Sequence, residues 1–448
     1  MTSIALPTGR LLRVLGVGFG VAVTIGNTIG AGILRAPGEV AANVGSEVVF
    51  LLIWIAGGMY ALLGAFSLAE LGAMMPRSGG QYIFARTGIG EYAGFVVGWN
   101  DWISTCGSVA AVSIVLAESL GAVVPAVAGR TAYVAAAVVV VFTLLLWRDV
   151  RTGARMQALT STLKGLALVG LVVACFVITN RYTPTDVSSA GDVAATAVRL
   201  APLAGIVLAL QAVIYTYDGW SGVIYFSEEV HDPGRDIPRS MFGGVISVTI
   251  IYLLMNVAFL HVVPLETLAG QPLAAGVVAD SLFGARWNEI VNWIVVIALL
   301  SSVNALLPMA ARVLYAMSTD GLFSRVATRV NSGGTPTVAL GASAVVAAAF
   351  ILSGTFQAVI ALLAVFFVAN YALSFIALIL LRRRAPGAPR PYRAWGYPFS
   401  TAVALGGSLA FLGATIAGDP ATAGKAGMVL ALSYPAYRLV LRSRPTTN

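Results

Sequence analysis

Residues 26–32 read Gly26-Asn27-Thr28-Ile29-Gly30-Ala31-Gly32, and residues 215–222 read Tyr215-Thr216-Tyr217-Asp218-Gly219-Trp220-Ser221-Gly222. Each stretch lies inside an apolar run long enough for a helix. The first puts three glycines and two polar side chains near the middle of its run. The second sets one carboxylate among two tyrosines, two hydroxyl side chains and two glycines. Neither reads as a continuous helix. At membrane depth, irregular backbone is tolerated only where it lines a cavity or is buried in protein. Whether a membrane surrounds these stretches is therefore the first question.

Composition answers it. Of 448 residues, 58% are hydrophobic and 10% charged, with 48 glycines and a mean hydropathy of +0.88. Soluble domains carry about 25% charge. So few charges cannot cover a 46.4 kDa soluble surface. A soluble enzyme and a disordered chain are both excluded. A spanning helix needs about 20 apolar residues. At that length the chain offers twelve candidates: 13–35, 46–75, 91–120, 131–147, 157–179, 200–227, 240–263, 288–318, 336–353, 356–381, 398–417 and 423–441. The least secure division is LSGTF (352–356), between the ninth and tenth. The expected fold is an all-α polytopic membrane protein forming one transmembrane domain. The start, MTSIALPTGRLLRVLG, shows no cleavage site, so the first helix is expected to remain.

The interrupted spans are the first and the sixth. Interruptions at matching places in two halves point to the central site of a transporter. Their spacing predicts two five-helix repeats of inverted topology, residues 1–190 and 191–385, then two further helices and a tail at 386–448. Lysine and arginine set the orientation. With the N-terminus inside, 21 of the 27 cations face the cytoplasm. The exceptions are Arg35, Arg130, Arg181, Arg199, Arg286 and Lys425. This bias predicts cytoplasmic termini in a plasma (inner) membrane. It also explains the net charge of +8 by contact with the lipid bilayer rather than with nucleic acid.

The chemistry of a break follows from its backbone. Unwinding frees N–H and C=O groups. A half-helix N-terminus suits a carboxylate, and free carbonyls suit an ammonium. A free α-amino acid offers both. Gly30, Ala31 and Gly32 would let a carboxylate approach backbone amides unobstructed. Against this stands a small-residue packing face; two matching breaks favour the site. No cofactor or metal is expected: His231 and His261 are thirty residues apart, and Cys106 and Cys175 make no disulfide framework.

The same residues carry a resemblance. TIGAGIL (28–34), GGQYIFARTGIGEYAGFVVGW (79–99), YTYDGWSG (215–222), SEEVHDPGRDIPRS (227–240) and RVLYAMSTDGLFSRV (312–326) resemble signatures of the amino acid–polyamine–organocation superfamily. The sixth-span form is similar to that of L-type amino acid transporters and bacterial serine/threonine exchangers. The resemblance implies a LeuT-type fold with helices 1 and 6 unwound, alternating access and an amino acid substrate. It places Asn27, Thr28, Gly30, Ala31, Gly32, Thr216, Asp218 and Gly219 around that substrate, with Tyr215 as an aromatic gate. Ala31 stands where many relatives have serine. On helix five it implies that Lys164 fills the position of a sodium ion, as a fixed strut or a proton site.

Each buried charge has a plainer reading. Lys164 can snorkel to the cytoplasmic face. Asp218 can cap the unwound half. Asp101 is expected to pair with a cytoplasmic arginine, and Glu228 and Glu229 to pair with Arg235 and Arg239 as an inner gate. Ser108 is placed near the substrate. The function expected is sodium-independent transport of small neutral α-amino acids, by exchange or proton-linked uptake, without an accessory subunit. The close alternative is a cationic amino acid or polyamine, with Asp218 or Asp101 as countercharge; a second cluster of acidic side chains in the pocket would favour it. An intramembrane enzyme would need a nucleophile with its base or a metal, and neither pattern is present.

Overall fold

The computed structural model describes residues 11–30, 32–178, 202–271, 273–284, 288–352, 356–418 and 420–442. Ala31, the linker residues 353–355, the boundary at 190/191 and the cations Arg10, Arg181, Arg199, Arg286 and Arg444 lie outside them. The described residues form α1 (Val17–Thr28), α2 (Gly32–Asn43), α3 (Glu47–Met74), α4 (Gln81–Gly88), α5 (Glu91–Val123), α6 (Thr131–Arg148), α7 (Val150–Val177), α8 (Pro202–Tyr217), α9 (Pro233–Val262), α10 (Leu265–Leu268), α11 (Ala274–Phe283), α12 (Asn288–Thr319), α13 (Thr337–Leu352), α14 (Phe356–Arg384), α15 (Phe399–Gly418) and α16 (Pro420–Arg442). A 3-10 helix follows α8 at Gly222–Glu229.

Eight of these helices are long and apolar enough to cross a membrane: α3, α5, α6, α7, α9, α12, α14 and α15. The pair α1 and α2 passes the same test together and is bent by 46°. Helices also occupy the remaining three predicted segments. Of these, α8 and α13 have 16 residues each, short for a span, and α16 is less apolar. At 28 residues, α3 is about 42 Å long. That exceeds a core of about 30 Å and implies tilt.

Both predicted interruptions are present. Between α1 and α2 the helix opens at Ile29 and Gly30. Helix α8 ends at Tyr217, and residues 218–221 are turns before the 3-10 segment. Around this pair, α12 packs along α5, and α1 lies against α9 and α7. Helix α7 starts on an N-cap that its sequence supplies: Asp149 accepts from the Thr152 amide and hydroxyl, each at 2.7 Å.

One end of the bundle is basic and closed. Glu70 is fully buried there and takes Arg382 at 2.5 Å, Arg390 at 3.1 Å and the Ala394 amide at 2.7 Å. Asp320 at the end of α12 takes Arg77, Arg86 and Tyr82. The chain before α1 is stitched to the end of the 3-10 segment. Val14 and Leu15 amides donate to the Glu229 carbonyl at 3.0 and 2.9 Å, and the His231 amide donates to Leu15. Beneath that stitch, Glu229 pairs with Arg312 at 2.5 and 2.8 Å, both essentially inaccessible. The Arg312 guanidinium also sits 4.3 Å from the centre of the Phe226 ring. The expected partners of Glu229, Arg235 and Arg239, lie on the first turns of α9; Arg312 of α12 takes their place. Glu228 instead accepts from the Ser78 amide at 3.4 Å.

Removing one member of a buried pair strands the other charge and costs about 3–5 kcal/mol, whereas replacing both with apolar residues is often neutral. Arg312→Leu is therefore expected to lower the thermal midpoint of the detergent-solubilised protein sharply. Arg312→Leu with Glu229→Leu should recover most of the loss. Equal midpoints for the single and double variants would show that the pair is not what closes this end.

Candidate functional site

The two breaks meet in the centre of the bundle. The Asn27 amide donates to the Gly219 carbonyl at 3.1 Å. Gly219 has φ +105°, a conformation that side chains disfavour. A Cβ there would lie 2.9 Å from the Asn27 carbonyl carbon. A Cβ on Gly32 would lie 3.0 Å from Thr216. At Gly219 the neighbour is backbone and only glycine fits; at Gly32 it is the Thr216 side chain.

The carbonyls freed by unwinding are satisfied from behind. The Lys164 ammonium of α7 donates to Gly26 at 3.0 Å and to Ile29. Its side chain is 0% exposed, so it does not snorkel. Ser302 of α12 also donates to Gly26, at 2.9 Å. The Tyr252 hydroxyl of α9 lies 2.9 Å from the Thr28 carbonyl and 3.1 Å from that of Thr216. It has one proton to give, so it bridges both breaks by sharing it. The ammonium that the free carbonyls were expected to attract is thus the protein's own. Gln157, Ser161, Ser301 and Asn304 extend this polar seam between α7 and α12.

In front of the breaks lies a cavity of about 640 Å³. Asn27, Thr28, Gly30, Gly32, Ser108, Tyr215, Thr216, Asp218 and Gly219 all line it. Every described residue placed around the substrate by sequence therefore converges on one space; Ala31 lies outside the described residues. Lys164 stands behind the wall. A Cβ on Gly30 would meet only the Ser302 hydroxyl, at 3.9 Å. The cavity runs from Gln81, Asp101 and Tyr225 at the closed basic end toward Arg35 and Glu39 of α2.

The helix ends give the cavity its polarity. Helix α2 begins at Gly32, so its first-turn amides carry partial positive charge. Helices α1 and α8 both end here and carry the opposite sign. Asp218 accepts from Tyr371 of α14 at 2.7 Å. Tyr215 is 41% exposed and lines the open part of the wall. Asp101 does not meet a cytoplasmic arginine. Its Oδ1 accepts from Tyr225 at 3.0 Å, and it lines the cavity. The register of α5 explains this: Asp101, Thr105, Ser108, Val112 and Val115 form one stripe that faces inward.

Sequence reasoning passed over Tyr252, Tyr371 and Tyr225. The first two sit in the apolar runs IIYLLMN (250–256) and VANYAL (368–373) with no charge to mark them. Tyr225 follows the second break by one turn, and a tyrosine there was legible as a wall residue.

Fold and cavity together define an all-helical polytopic membrane protein built around two broken helices. The family model described as amino acid permease matches residues 20–433. The chain belongs to that family, within the amino acid–polyamine–organocation superfamily. It is 25% identical to the serine/threonine exchanger SteT of Bacillus subtilis (strain 168), over 95% of this chain and 96% of the relative. It is 27% identical to the b(0,+)-type amino acid transporter 1 of Mus musculus, over 87% and 80%. It is also 27% identical to the large neutral amino acids transporter small subunit 2 of Homo sapiens, over 86% and 72%.

Two glycine substitutions separate close packing from open space. Gly219→Ala forces a side chain into the positive-φ region against Asn27, costing on the order of 1–3 kcal/mol. It is expected to lower both the thermal midpoint and amino acid uptake. Gly30→Ala meets nothing closer than 3.9 Å. It should leave the midpoint near wild type yet raise the KM for uptake by intruding on the cavity. A Gly30→Ala variant with unchanged KM would remove Gly30 from the site.

Proposed function

We propose that the chain is a sodium-independent exchanger of α-amino acids that works by alternating access in the plasma (inner) membrane. The observation that carries this is the meeting of three helix ends at one cavity: the N-terminus of α2 and the C-termini of α1 and α8. The substrate carboxylate lies against the first-turn amides of α2, beginning at Gly32, and Gly30, whose own amide donates to the Thr28 carbonyl at 3.0 Å, leaves it room to approach. The amine lies toward the ends of α1 and α8, where Asp218 adds negative charge. Thr28 and Thr216 supply hydroxyls, Ser108 approaches from α5, and Tyr215 swings over the bound molecule as a gate.

Lys164 takes the role a sodium ion would otherwise fill. An ammonium fixed between the Gly26 and Ile29 carbonyls holds the break without an added cation. Twelve spans arranged as two inverted five-helix repeats (1–190 and 191–385), with helices 11 and 12 in 386–448 and both termini cytoplasmic, place the basic end inside. The Glu229–Arg312 pair and the stitch to Leu15 then form the inner gate, and the cavity opens away from them. Exchange is favoured over proton-linked uptake by the name of the relative that spans nearly the whole chain. The expectation of a small neutral side chain loses one support, because Asp101 and Glu39 join Asp218 as carboxylates in the cavity.

The protein should be reconstituted in liposomes and given labelled L-serine. Uptake is expected only into vesicles preloaded with unlabelled amino acid. Uptake into empty vesicles, driven by an inward proton gradient, would replace exchange with a proton-linked permease. No uptake of any amino acid in either condition would overturn the reading.

A further inference from the structure

Asp101 is a charged cavity group that the proposed site leaves unused. It sits on α5 opposite the breaks and is 2% exposed. Tyr225 satisfies its Oδ1. Its Oδ2 is buried and, apart from the Thr105 hydroxyl one turn along α5, meets no donor among the described residues. A carboxylate oxygen can accept several hydrogen bonds, and leaving it bare in the membrane interior is costly. Asp218 and, on α2, Glu39 line the same cavity, so three carboxylates share one space.

The nearby cations are committed elsewhere. Lys164 faces away, toward Gly26 and Ile29. Arg312 is clasped by Glu229. Arg35 lines the opposite end of the cavity beside Glu39. None of these cations meets Asp101, so its carboxyl is open to a cationic group that enters the cavity. The volume of about 640 Å³ leaves room for a side chain longer than that of serine. The stripe Asp101, Thr105 and Ser108 gives that side chain a polar wall ending in a charge.

Resting on the amino acid reading above, we propose that Asp101 is a specificity-determining residue. Its free oxygen takes the distal ammonium or guanidinium of a cationic α-amino acid whose α-groups lie at the breaks. Asp218 serves the α-amine, and Asp101 reads the far end of the side chain. Tyr225 holds the Asp101 carboxylate in place by occupying its other oxygen.

The test uses wild-type proteoliposomes preloaded with L-serine. Norleucine matches the length of lysine and lacks its ammonium. Lysine is expected to inhibit labelled serine uptake at a concentration at least about tenfold below that of norleucine, the scale of one charge-assisted hydrogen bond. Asp101→Asn should reduce the ratio of lysine to serine uptake by about tenfold or more. Asp101→Glu should hold the ratio closer to wild type. Equal inhibition by lysine and norleucine overturns the proposal without needing any variant. So does an Asp101→Asn variant that slows lysine and serine alike, or one that leaves the ratio intact. Serine exchange without lysine exchange sinks this inference alone. A wild type that moves neither sinks the exchanger reading with it.

Discussion

The ammonium of Lys164, held between the carbonyls of Gly26 and Ile29, is the contact on which the rest of the structure depends. A helix opened inside a membrane exposes backbone groups that lipid cannot satisfy, at several kcal/mol each. A water-soluble protein would hydrate them. Here one lysine, one serine and one tyrosine do so, from α7, α12 and α9. Without these donors a straight helix would be the cheaper arrangement, and there would be no cavity. The lysine in turn needs the break, because a buried ammonium must be met by oxygen.

The two breaks are also tied to each other. Asn27 reaches Gly219, and Tyr252 touches a carbonyl on each side. Gly219 lets the backbones approach closely enough for this. A ligand bound between α2 and the end of α8 therefore meets a single joined element. Motion of one half-helix must carry or break contacts to the other. The basic end is shut by a separate set, the Leu15 stitch and the Glu229–Arg312 pair, so one side can open while the centre stays assembled. Alternating access needs that separation of gate from site.

Much of this was legible in the sequence because glycine and charge are conspicuous inside apolar runs. The positions of both breaks, and the residues that wall the cavity, followed from Gly26 to Gly32 and from Tyr215 to Gly222. Lys164 was visible as a charge, but its burial was not. Snorkelling and bridging need the same residue at the same depth, and only the direction of the side chain separates them. Asp101 was misjudged for a similar reason. Lying early in its span, it suggested the surface, whereas the rotation of α5 turns it inward. The donors Tyr252 and Tyr371 gave no signal, because a tyrosine in an apolar run reads as packing until its hydroxyl partner is seen. Glu229 was rightly expected to form an ion pair but with the wrong partner, since Arg312 lies 83 residues away in sequence.

The most direct measurement is the initial rate of amino acid uptake into preloaded proteoliposomes, in sodium chloride and in choline chloride, for wild type and Lys164→Ala. If the lysine ammonium holds the break, wild-type rates are the same in both salts and Lys164→Ala is inactive in choline. A wild type that requires sodium, or a Lys164→Ala variant that transports at the wild-type rate in choline, would contradict the account.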